Sequence, residues 1–135
     1  MSQKRTKTLV HYRMEQAYDT LREAEKLFNR SVLKGAISHA YYAMFYAAVA
    51  LLSTTDKKTS NQGMVVILFE KEFVEKEIFP AELQQWLQFG FKHHQSRNLD
   101  NAENGVDQAT TKLFLGKSKQ FITTAYAYLF NTYGF

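Results

Sequence analysis

Apolar residues recur along this chain at helical spacing, and polar breaks divide them into five segments. Over about 8–29, Val10, Met14, Ala17, Leu21, Ala24 and Phe28 alternate steps of four and three. That is one stripe of an amphipathic helix, with Arg13, Arg22, Glu23 and Lys26 lying off it. A second segment, "AISHAYYAMFYAAVALL" (36–52), carries alanines at 36, 40, 43, 47 and 50, again steps of four and three. The polar stretch "LSTTDKKTSNQG" follows, with Thr59 and Gln62 spaced as a capping box that opens a third helix. Val66, Phe69 and Phe73 keep helical spacing there. "MVVILF" alone also fits a buried strand, but the polar continuation "EKEFVEKE" favours helix.

Pro80 suits the first turn of a fourth helix, where its missing N–H costs nothing. Glu82 complements the positive end of that helix dipole, and Leu83, Trp86, Leu87 and Phe91 supply the apolar side. "RNLDNAENGVD" (97–107) reads as a loop. Asp107 is placed to cap a last helix, with Phe114, Phe121, Ala125 and Tyr128 on one stripe. The pattern predicts an all-α fold: a four- to five-helix up-and-down bundle formed by a single domain over 1–135.

The second segment is apolar on every face, so it is buried either in a protein or in a bilayer. At 17 residues, Ala36–Leu52 only reaches the lower edge of a spanning length. It also contains Ser38 and His39 and has no second span to pack with, so a central bundle helix is the better reading. The alanine stripe lets a neighbouring backbone approach closely. The basic start "MSQKRTKTLVHYRMEQ" is not followed by the apolar core of a secretory signal, and the expected location is the cytoplasm.

Composition narrows the chemistry. At 135 residues the chain can bury a core without staples, and it has no Cys. Thiolate metal sites and cysteine nucleophiles are therefore excluded. The formal net charge of +4 is spread over scattered lysines, which focus little field on any partner. No basic stripe alternates with exposed aromatics, so sequence-specific DNA binding has no support. Neither a phosphate-cradling glycine loop nor a Gly-x-Ser-x-Gly elbow is present.

"AISHAYYAMFYAAVALL" resembles the signature second helix of HEPN domains, small all-α bundles that often carry Ser-Arg-Ala-Tyr-Tyr-Ala there, followed by Phe-(His/Tyr)-Ala-Ala. "KTSNQGMVVILFEKEFVEKEIFPAEL" is similar to the third helix and following turn of that family. The resemblance covers nearly the whole chain. It implies a bundle that commonly forms a homodimer and works around RNA or nucleotides. It also implies a nucleotidyltransferase partner, in some cases as a toxin–antitoxin pair. Catalytic members are metal-independent ribonucleases whose motif is an Arg with a His four to six positions later. Arg97-Asn98 matches the first half, but positions 101–103 are Asn101, Ala102 and Glu103, and all four His precede Arg97. Related sequences often carry Asp-Tyr soon after that Arg; here Asp100 is followed by Asn101. His39 stands where the family usually has Arg.

"FKHHQSR" (91–97) holds the densest chemistry. His93 and Arg97 are four apart and share a helix face, while His94 points about 100° away. His93 or His94 can serve as acid or base near neutral pH, and Arg97 can grip a phosphate bidentately. The plainer reading is a solvated helix end, favoured by the dipole. Adjacent His lack the spacing of a two-His zinc pattern, so no metal site and no cofactor are expected. His39, Tyr42 and Tyr46 share one face of the second helix, either as a satisfied polar patch or as the wall of a nucleotide pocket that also receives Arg97 or Asp100.

These observations favour a non-catalytic HEPN-like module that binds RNA or a nucleotide, or pairs with a nucleotidyltransferase, without engaging a membrane. The alternatives are a ribonuclease with a rearranged site using His93 and Arg97, and a purely structural dimerisation scaffold. The ligand-binding candidates are Arg97, Asp100, His94, His39, Tyr42 and Tyr46.

Overall fold

A computed structural model describes residues 3–99 and 107–135, with the backbone alone over 96–99. Its elements are α1 (Gln3–Asn29), α2 (Leu33–Leu52), α3 (Gln62–Phe69, continued by a π turn over Glu70–Val74), α4 (Ala81–Leu99) and α5 (Gln108–Tyr133). The described residues form an all-α bundle with no strand.

α1 begins five residues before the segment read as helical from about residue 8. Residues 3–7 are polar, so periodicity does not mark them, yet they are helical. The stripe itself faces inward, with Val10, Met14, Ala17, Leu21 and Ala24 all buried. α1 ends in a tight reversal in which Val32 N–H donates to the Leu27 carbonyl, 2.9 Å. Ser31 sits at φ 62° in that turn, a left-handed conformation that a glycine adopts at no steric cost.

The short connection makes α1 and α2 an antiparallel pair. Leu9 near the start of α1 lines the same depression as Val49 and Leu52 near the end of α2. α2 is the axis of the bundle and packs against each of the other four helices. Its five stripe alanines are completely buried. By length and hydropathy α2 passes as a membrane span, but 78% of its apolar window is buried inside the bundle. α5 approaches α2 closely enough for the buried Ser118 hydroxyl to donate to the Ala40 carbonyl, 2.9 Å. At the end of α2, Ser53, Thr54 and Thr55 return their hydroxyls to the Val49, Leu51 and Leu52 carbonyls, which also accept the backbone N–H groups of the same three residues.

α3 opens on Asn61, whose side chain accepts from Met64 N–H, 3.0 Å. The capping box read at Thr59 and Gln62 is therefore displaced. Thr59 instead accepts from Asn61 N–H, 3.1 Å, and props up the cap. Gln62 is the first helical residue, and its side chain is used elsewhere. Glu75 N–H reaches the Glu70 carbonyl at 2.8 Å, the five-residue step of a π turn. That turn leaves Phe73 fully buried, in ring contact with Phe69 and Phe79. Phe121 of α5 adds a ring 5.2 Å from Phe69, and Tyr128 packs edge-on to Phe79.

α4 starts directly after Pro80 and carries Glu82 in its first turn. Asp107 caps α5 by accepting from Thr110 N–H, 2.7 Å. That bond holds its carboxyl below the usual carboxylate range. Gly134 closes α5 at φ 76°.

Candidate functional site

The densest polar contact inside the bundle joins α2, α3 and α4. α2 supplies consecutive Tyr41 and Tyr42, with Tyr46 one turn on. α4 supplies Phe91 and His94, which are three apart and so share a face. α3 supplies its first residue, Gln62. Gly90 lets α4 come this close: a Cβ there would lie 2.8 Å from Tyr41 Cδ1 and 3.0 Å from Phe114 Cζ.

Hydrogen bonds run through the cluster in series. The Tyr41 hydroxyl donates to Gln62 Oε1 at 2.8 Å. Gln62 Nε2 donates to the Tyr42 oxygen at 3.4 Å. The Tyr42 oxygen then lies 3.2 Å from His94 Nε2. The Tyr42 oxygen thus joins Gln62 to His94, accepting from the amide and exchanging a hydrogen bond with the imidazole. The rings reinforce the chain. Tyr41 stacks on His94 with centroids 5.6 Å apart, and Tyr42 meets it edge-on at 5.2 Å. Tyr41 is fully buried. Desolvation, with a smaller contribution from the neighbouring Tyr42, pushes its phenol well above the ordinary value.

The two ends of the series differ in exposure. Tyr41 lies in the core, whereas Tyr42, Tyr46 and His94 are half-buried and reach the surface. Tyr42 and Tyr46 also pack ring to ring, 6.2 Å apart. The surface end therefore offers aromatic faces for stacking, beside a phenol bonded to an imidazole.

The remaining candidates take other positions. His39 turns back onto its own helix, donating from Nδ1 to the Gly35 carbonyl at 2.9 Å. His93 lies against Phe89, rings 6.2 Å apart, on a different face of α4 from His94. Arg97 is three residues beyond His94 on α4, so its backbone continues the His94 face. Its side chain and all of Asp100 lie outside the described residues. Among the described residues no group of three or more His, Cys, Asp or Glu is placed to hold a metal ion.

Two members of the cluster, Tyr41 and Gln62, are not among the ligand-binding candidates drawn from the sequence, where Gln62 figures only in the capping box. A tyrosine inside an all-round apolar helix needs a hydroxyl partner, and that need is the signal pointing to Gln62.

The HEPN domain profile matches residues 10–126, and the chain belongs to that family. It is similar to "Putative toxin MJ0142" of Methanocaldococcus jannaschii, 28% identical over 116 residues, covering 86% of this chain and 78% of the relative. It is also similar to a "UPF0332 protein" of Thermotoga maritima, 28% identical over 88 residues, covering 65% of this chain and 67% of that protein. HEPN membership and the relative named as a toxin fit a toxin–antitoxin type of module.

Proposed function

We propose that this HEPN protein binds RNA or a nucleotide without cleaving it, as a cytoplasmic homodimer with a nucleotidyltransferase partner in a toxin–antitoxin setting. The observation that carries this reading is the contact of the Tyr42 hydroxyl with His94 Nε2. It fixes an imidazole and two half-buried tyrosine rings beside the α4 turn that carries Arg97. Aromatic faces suit bases, and an arginine suits phosphate. The order of residues after Arg97, with Asn101, Ala102 and Glu103 where the ribonuclease motif has its His, supports binding over cleavage. Fluorescence anisotropy with a labelled RNA oligonucleotide tests the reading. Tyr42→Phe, His94→Ala and Arg97→Ala are each expected to weaken binding by about tenfold, the scale of one lost charge-assisted contact. Unchanged affinity in all three variants sinks it.

A second reading, a ribonuclease with a rearranged Arg/His site, is favoured by His94 being oriented by Tyr42 on the helix face that continues to Arg97. Cleavage of total RNA by the wild type, lost in His94→Ala and in a His93→Ala, Arg97→Ala double variant, would establish it. No cleavage by the wild type rules it out.

A further inference from the structure

We infer that the outer groove between α4 and α5 is a docking site for an acidic amphipathic helix of a partner protein. α4 and α5 touch each other only sparsely, and their separation leaves an elongated depression on the surface. Its deeper part, of about 280 Å³, lies between Trp86 and Phe89 of α4 and Leu113 and Lys117 of α5. It continues into a shallower trough of about 650 Å³ bordered by Trp86, Leu113, Lys117, Lys112 and Gly116.

The walls are apolar and open to solvent. Phe89 is 45% exposed and Leu113 is 60% exposed, large side chains that keep about half of their surface open to solvent. Gly116 keeps the α5 wall low, since a Cβ there would meet nothing within 4 Å. A shallow apolar trough between two helices receives a third helix through its i, i+3, i+4 and i+7 side chains.

Charge selects the occupant. Both lysines stand at the border of the trough, and among the described residues neither depression is lined by a carboxylate. Asp or Glu flanking the apolar stripe of an incoming helix would meet Lys112 and Lys117. A second copy of this chain fits less well: a two-fold contact across the trough would bring its lysines toward one another. The chain's own acidic segment, Glu70–Glu77, is not available, because Phe73 is buried and Val74 packs against the core. A nucleobase would have to compete for the Trp86 ring, over which Lys117 Nζ already sits at 5.9 Å from the centroid.

The test uses a displayed library of helical peptides of about 18 residues, five turns. It is panned on the intact protein and counter-selected on the Leu113→Glu variant, whose site is exposed and leaves the core untouched. Recovered peptides are expected to be acidic and amphipathic. They should shift the fluorescence of Trp86, the single tryptophan of the chain, and lose about tenfold or more in affinity for a Lys112→Glu, Lys117→Glu variant. Four outcomes overturn the inference: no peptides that depend on Leu113; basic or neutral peptides instead; a wild-type dimer that Leu113→Glu converts to monomer, which assigns the trough to a second copy; or RNA binding that the lysine variant abolishes.

Discussion

The Tyr42 hydroxyl on α2 and His94 Nε2 on α4 lie 3.2 Å apart, and this contact is the surface end of a hydrogen-bonded series that begins at the buried Tyr41. The series ties three helices through side chains rather than backbone, so each member orients the next. Tyr42→Phe keeps the ring and removes only the link. It is expected to lower stability by about 1 kcal/mol, the net value of one hydrogen bond. It should also remove the bond at His94 Nε2, visible as a change in its ring nitrogen shifts by NMR. Unchanged shifts would mean that Tyr42 does not orient the imidazole.

The close approach of α4 to α2 depends on Gly90, and α5 offers an internal control in Gly116. Gly90→Ala puts a methyl 2.8 Å from Tyr41, a ring held by stacking and by its bond to Gln62. The expected result is a net loss of about 1–2 kcal/mol, overpacking less the gain in helix propensity. Gly116→Ala enters open space and should gain about 0.5–1 kcal/mol. Urea denaturation of the two variants should therefore move in opposite directions from the wild type.

Much of the bundle is legible in the sequence, because burial follows helical periodicity. Val10 through Ala24 and the five alanines of α2 are buried as their spacing requires. What the pattern misses has local causes. The π turn over Glu70–Val74 shifts the register by one residue within a segment whose apolar spacing remains helical. The cap of α3 falls on Asn61 rather than Thr59 because both can accept a backbone hydrogen bond, and only the path of the chain decides between them. In the candidate site, His93 and His94 differ by about 100° around α4, so which one meets Tyr42 depends on how that helix is rotated in the bundle. Trp86 reads as core and instead forms the wall of the α4/α5 groove, half-buried, because α5 does not close over it.

The α3 cap gives a direct comparison. Asn61→Ala should cost about 1 kcal/mol by removing the side-chain acceptor for Met64 N–H. Thr59→Ala removes only the bond that supports the cap from outside the helix and should cost less. Thermal denaturation of the two single variants separates them. An equal or greater loss in Thr59→Ala would restore Thr59 as the residue that starts the helix.

Burial of Tyr41 makes stability fall at alkaline pH. In the unfolded chain its phenol ionises near pH 10. In the fold, desolvation and Tyr42 hold the proton on to higher pH. Above pH 10 the native state therefore binds more protons than the unfolded state, and the stability curve slopes downward. The slope from this group is at most about 1.4 kcal/mol per pH unit. Tyr18 and Tyr128 are raised in the same direction, chiefly by desolvation, and steepen the fall. Tyr41→Phe loses the bond to Gln62 but removes the ionisable group. It should be less stable than the wild type at pH 8, and the difference should narrow between pH 10 and pH 11 as the wild type meets the cost of keeping its phenol neutral. Urea unfolding at those three pH values measures it, and parallel curves for the two proteins would show that Tyr41 does not carry the alkaline dependence.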